Sequence, residues 1–292
     1  MHNHENIYRL GEKSVILVIC VNLVLFIVKF LAGVYGKSQA LVADSFHTAS
    51  DVISSIAVLI GLKYASTPAD NHHPYGHGKA ESIAAKIVSL VLIAIGFKIA
   101  YNSSSTLVLR DFNRPHQITL WIVLLSIAVK EFQFHYALRW GRRIKSTSIV
   151  ADAWHHRSDA LSSIAAFIGI LGARLGFEML DPIAGIVVGL FIVKIGFDIF
   201  HTAFDELLDS ALPVDVTDKI KELTLSTEGV KKMTVLKGRK HGLNILVDMT
   251  IEVDKDMTVK DAHTITAKVR RSVLKDVANA GDVLIHVEPY EE

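Results

Sequence analysis

The sequence predicts an α-helical membrane protein: six transmembrane helices followed by a C-terminal cytoplasmic α+β domain. Three observations predict this. Half of the 292 residues are hydrophobic and the mean hydropathy is +0.36, too apolar for an ordinary soluble domain. The apolar residues gather in runs of about 20, the length that crosses a bilayer. Those runs stop near residue 205, and shorter strand-like and helix-like patterns replace them.

The first span covers residues 14–35 (SVILVICVNLVLFIVKFLAGVY), the second 39–65, the third 80–101 (AESIAAKIVSLVLIAIGFKIAY), the fourth 117–139, the fifth 147–172 and the sixth 181–203. The first run is long enough to span and has no evident small-residue cleavage site, so it reads as a span and not as a cleaved signal. Pro115 and Pro182 stand near helix starts, where proline is tolerated. An even number of spans places both termini on one side. Arg9, Lys13, Lys63, Lys79, Arg139, Arg142, Arg143 and Lys145 lie at the termini side, against Lys37, Arg110, Arg114 and Arg174 opposite. That bias predicts cytoplasmic termini and a multi-pass protein of the cell membrane. Lys29, Lys86, Lys98 and Lys130 fall in the apolar runs and read as side chains that snorkel or lie near span ends.

After Pro213 the pattern becomes that of a compact domain. VDVTDKIKELTLS reads as a helix capped by Asp215. KKMTVLKG reads as a strand. The next strand places Leu243, Ile245, Val247, Met249, Ile251 and Val253 on one face, with Asn244, Asp248, Thr250 and Glu252 on the other. TVKDAHTITAKVRRSVLKD is a helix and DVLIHVEP a last strand. The order α-β-β-α-β suggests a ferredoxin-like half-sandwich. The division is a transport domain over 1–206 and a cytoplasmic domain over 207–292.

The formal charge of +1 gives no electrostatic case for nucleic acid. From Asp205 onward acidic residues outnumber basic ones by 17 to 13, so the part before is basic. The single Cys20 excludes an internal disulfide and a multi-thiolate metal site.

One internal repeat carries the chemistry. Residues 41–62 read LVADSFHTASDVISSIAVLIGL and residues 149–170 read IVADAWHHRSDALSSIAAFIGI; 12 of the 22 positions are identical. The identities include Asp44/Asp152, His47/His155 and Asp51/Asp159. Any two spans match in apolar residues, but each charged group in a span costs about 2.5–3.5 kcal/mol on insertion scales. Repetition of the costly residues therefore marks a site near the membrane midplane. His47 and Asp51, and likewise His155 and Asp159, are four apart and share a helix face. Facing one another, the pairs supply two imidazoles and two carboxylates, enough for a tetrahedral divalent-cation site. Asp44 and Asp152 are candidates to orient the imidazoles or to line an aqueous approach. Ser54, Ser55, Ser162 and Ser163 read as small residues permitting close helix packing. The loop PADNHHPYGHGKAE, residues 68–81, packs Asp70, His72, His73 and His77 into eight positions, a second candidate metal cluster.

The paired HxxxD motifs, the PAD and GHGKAE loop segments and the αββαβ tail together resemble the cation diffusion facilitator family, over nearly the whole chain. Within it the sequence looks most similar to the bacterial ferrous-iron/zinc efflux branch. The resemblance implies a homodimeric antiporter that exports divalent metal against inward protons, with Zn2+ as substrate and Fe2+, Mn2+ or Cd2+ as alternatives. His47, Asp51, His155 and Asp159 fall on the family's transport site. Asp70, His73 and His77 fall on its loop site, with His72 an extra. Lys79 and Asp209 match an inter-subunit charge pair. His263, His286 and Glu288 fall on tail ligand positions, while Thr234 and Thr250 replace histidines of some relatives; Asp248 and His241 are candidate substitutes. Protonation of imidazole, near pH ~6.5 in the reference state, competes with metal for the same atoms and links the two ions. Two other classes fit some of these residues. An intramembrane metalloenzyme would need an open coordination position, and the chain has no HExxH motif. A metal sensor would bind through its tail without flux.

Overall fold

A computed structural model of the chain describes residues 2–65, 67, 69–143, 147–242 and 244–291; within its helices, the side chains of 2–17, 54–55, 57–65, 140–143, 147–153, 155–156 and 158 are outside the description. Six long helices come first: α1 (His2–Tyr35), α2 (Gln39–Ala65), α3 (Ala80–Leu109), α4 (Gln117–Arg143), α5 (Thr147–Arg174) and α6 (Leu180–Leu207). Then follow α7 (Val214–Leu225), β1 (Lys232–His241), β2 (Asn244–Val253), α8 (Val259–Asp276) and β3 (Ala280–Pro289). The order is the one expected. Among the described residues, stretches of α1, α3, α4 and α6 are long and apolar enough to cross a membrane. The other two long helices, α2 and α5, carry the polar repeat.

The chain divides into two compact units. Met1–Ile56 joins Ile87–Ile199, and Ala57–Lys86 joins Phe200–Glu292. In the first unit Ala40, Leu41, Val123, Ala166, Ile170 and Ala184 form one buried cluster, and Ala43, Leu92, Val188 and Ile192 another. Four of these ten are alanines, which let backbones approach closely where lipid supplies no hydrophobic drive between helices. Gly96 shows how closely: a Cβ added there would lie 2.7 Å from Val193 Cγ2 and 2.8 Å from the Gly189 carbonyl oxygen. Large apolar side chains such as Val24, Leu90, Trp121, Leu161 and Ile168 point outward, the inverse of a soluble fold. Buried Asp181 caps α2: it accepts hydrogen bonds from Ser38 Oγ and the Gln39 N–H, both at 2.6 Å.

In the second unit β1 and β2 pair antiparallel and β2 and β3 parallel, giving the sheet order β1-β2-β3. The parallel pair needs a crossover, which α8 supplies. Val247, Met249, Ile251 and Val253 are buried against Ile265, Val269 and Val273 of α8. The strand alternation and the i, i+4, i+8 spacing on α8 thus meet in one core. Leu243 lies outside the described residues. Thr258 caps α8, accepting from the Asp261 N–H at 3.2 Å. The expected cap of α7 is corrected. Pro213 occupies that position without a side-chain bond, and Asp215 sits inside the first turn, where its charge suits the helix dipole.

Candidate metal sites

The repeat on α2 and α5 builds a buried polar cluster. One ligand atom each from His47, Asp51 and Asp159 lies within 4.8 Å of the others. His47 Nε2 is 3.6 Å from Asp159 Oδ1. His47 is 4% exposed and Asp159 3%. Among the described residues neither ring nitrogen of His47 has a hydrogen-bond partner, so the imidazole offers a lone pair beside two carboxylates. That is a ligand set for a divalent cation that accepts nitrogen and oxygen donors. His155, the expected fourth ligand, and Asp152 belong to α5, with side chains outside the described residues.

Sequence reasoning missed a cation in this cluster. Lys130 of α4 is 1% exposed. Its Nζ lies 2.8 Å from Asp51 Oδ2 and 3.3 Å from Asp159 Oδ2. It does not snorkel, and its position could have revealed this. Lys130 is 13 residues from each end of α4, about 20 Å along the axis at 1.5 Å per residue, beyond the reach of its stem. A charge there must find partners inside the protein.

Lys29 is corrected likewise. It is fully buried and lies 2.7 Å from Asp44 Oδ2. Its ammonium also donates to Thr48 Oγ1 at 2.9 Å, Ser163 Oγ at 3.3 Å and the Asp44 carbonyl at 3.5 Å. Asp44 further accepts from Ser162 Oγ at 3.1 Å and Ser163 Oγ at 2.9 Å. Asp44 therefore serves an ion pair across α1, α2 and α5 in place of orienting an imidazole. Ser162 and Ser163 satisfy that carboxylate, beyond merely allowing close packing.

The loop cluster is compact too. Asp70 Oδ1 is 3.4 Å from His73 Nδ1, and Asp70 Oδ2 is 3.7 Å from His77 Nε2. The two imidazole rings stand 4.3 Å apart, and three ligand atoms fall within 4.8 Å. The backbone N–H groups of His73 and His72 bond Asp70 Oδ1 at 2.6 and 2.8 Å. The His73 N–H is the main reason that the Asp70 carboxyl is held below its ordinary pKa. A carboxylate fixed by its own turn is ionised and oriented before any cation arrives. His72 contributes its backbone to this turn. Lys79 Nζ is 2.8 Å from Asp209 Oδ1 within one chain, where the resemblance implies a bond between subunits. That hydrogen bond holds the Asp209 carboxyl below its ordinary pKa.

The tail residues are not gathered. Among the described residues, His263, His286, Glu288 and Asp248 do not bring three ligand atoms together. His286 Nε2 and Glu288 Oε1 are 3.6 Å apart on one face of β3. Exposed His263 lies on α8. Asp248 pairs with Arg239 at 3.5 Å, which engages it elsewhere. His241 packs against Gly78, and its Nε2 has no hydrogen-bond partner.

The sequence matches the cation efflux transmembrane domain over residues 15–208 and the cation efflux protein cytoplasmic domain over residues 212–290. It is 35% identical to metal tolerance protein C1 of Arabidopsis thaliana, over 96% of this chain and 62% of that protein. It is 32% identical to the manganese efflux system protein MneP of Bacillus subtilis, over 97% of this chain and 98% of that protein. A solved structure, the metal-bound C-terminal domain of the CzcD transporter from Thermotoga maritima, is 38% identical over 26% of this chain and 88% of that chain, with a TM-score of 0.26. The domain matches and the full-length relative place the chain in the cation diffusion facilitator family, whose members are membrane metal transporters and not enzymes.

Proposed function

We propose that the chain exports divalent metal, with Zn2+ as principal substrate, from the cytoplasm in exchange for protons. The observation that carries this is the buried His47, neither ring nitrogen hydrogen-bonded among the described residues, beside the Asp51 and Asp159 carboxylates. His155, four residues before Asp159 on the same face, completes the ligand set. Imidazole and carboxylate accept either a metal or a proton at the same atoms, so one ion displaces the other without a separate proton path. Nitrogen and oxygen donors also admit Mn2+, Fe2+ and Cd2+, in keeping with the manganese named for one relative.

The transport domain covers 1–206 and the cytoplasmic domain 207–292, with both termini in the cytoplasm of a cell whose plasma membrane holds the protein. The tail dimerises the chain. In the dimer Lys79 and Asp209, which bond within one chain in the single subunit, exchange partners and join the two subunits as a charge pair, and His263, His286 and Glu288, with Asp248 a further candidate, bind metal that regulates transport. Asp70, His73 and His77 bind metal ahead of the membrane site. Replacing Asp70 and His77 by Ala should lower the Zn2+ retained by the full-length protein after gel filtration by one ion per chain, read by atomic emission.

Proteoliposomes with an imposed pH gradient test the whole reading. Zn2+ should move against the proton flow and outcompete Mn2+, Fe2+ and Cd2+. Zn2+ flux indifferent to the gradient would remove the proton exchange, and preferential Mn2+ flux would remove zinc as the principal substrate.

A further inference from the structure

Lys130 is a cation placed where the proposed transport site needs ligands. Among the described residues its hydrogen bonds go to Asp51 Oδ2 and Asp159 Oδ2, carboxylates whose ligand atoms lie within 4.8 Å of that of His47. A divalent cation bonded to these carboxylates sits about 2.0–2.2 Å from their oxygens, and an ammonium at hydrogen-bond distance from the same atoms collides with it in charge and in space. Low polarity sharpens that repulsion. Lys29 gives the contrast within the same unit. Its ammonium is held by Asp44 together with Thr48 and Ser163, none of which belongs to the metal cluster, so it has no reason to leave. Among the described residues Lys130 is bound by the ligands alone, on a flexible four-carbon stem.

We propose that Lys130 is a tethered competitor of the transported metal: its ammonium and the divalent cation occupy the Asp51 and Asp159 carboxylates in turn. Metal enters by displacing the ammonium, and the returning ammonium helps to expel the metal. Charge balance favours the exchange. A dication neutralises both carboxylates and makes the ammonium surplus. Once the metal has left, the returning ammonium offsets one of the two carboxylate charges. The inference rests on the assignment of His47, Asp51 and Asp159 to transport.

The test is equilibrium Zn2+ binding to the full-length chain in lipid nanodiscs, in competition with a fluorescent chelator. Asp159→Asn identifies the membrane site as the binding event that it removes. Lys130→Met should tighten that event at least about tenfold, equivalent to about 1.4 kcal/mol, because the competitor is gone. Lys130→Arg, which retains the charge and forks across both carboxylates, should weaken it. A monodisperse Lys130→Met protein with unchanged or weaker Zn2+ binding overturns the proposal, since a purely structural lysine would behave in that way. If Lys130→Met aggregates, Lys130→Arg decides: weaker binding supports the proposal, and unchanged or tighter binding overturns it. If Asp159→Asn removes no binding event, the transport-site assignment fails, and the proposal fails with it for that separate reason.

Discussion

Lys29→Met should destabilise the membrane domain by about 3–5 kcal/mol, the usual cost of removing one partner from a buried ion pair. The loss comes mainly from what remains. Asp44 is fully buried and would lose its cation, leaving it, among the described residues, the Ser162 and Ser163 hydroxyls. Adding Asp44→Asn to Lys29→Met should recover most of that stability, because a neutral amide still accepts those two hydrogen bonds. Pulse proteolysis in detergent measures both. A single variant as stable as the wild type would show that the pair contributes nothing. A double variant that retains Zn2+ binding would show that Asp44 supports the fold and is not a ligand.

The second large effect is expected at the metal cluster. Altering a group that merely orients a ligand costs about 10–100-fold in metal affinity, so Asp159→Ala, at a proposed direct ligand, should cost more than about 100-fold. The single variant is the sound choice. Lys130 keeps its 2.8 Å bond to Asp51 when Asp159 is gone, whereas removing both carboxylates would strand an unpaired ammonium in the membrane. His47→Ala should also abolish high-affinity binding, and it leaves both lysine contacts in place. Binding unchanged in either variant would place the metal elsewhere.

The particular residues show what a sequence of this kind reveals. The repeat exposed His47, Asp51 and Asp159 because duplicated ionisable residues in an apolar helix are too costly to be accidental. The tail core was legible because alternation on β2 and helical spacing on α8 each specify a single buried face. Lys29 and Lys130 escaped because a lone lysine in an apolar run is usually taken to snorkel, and its partners come from helices distant in sequence. For Lys130 the distance from both helix ends was sufficient warning. Asp44 was misread because its place on α2, three residues from His47, suggests a shared role, while its bonds go to α1 and α5. The tail ligand positions could be found from the resemblance alone; local pattern does not fix which exposed histidines converge.

The central claim is that metal crosses the membrane through the cluster on α2 and α5. Zn2+ flux in proteoliposomes under a pH gradient, compared between the wild type, Asp51→Asn and Asp159→Asn, tests it most directly. The account predicts that both variants lose exchange while still retaining Zn2+ at the loop of Asp70, His73 and His77. Wild-type exchange rates in either variant would contradict it.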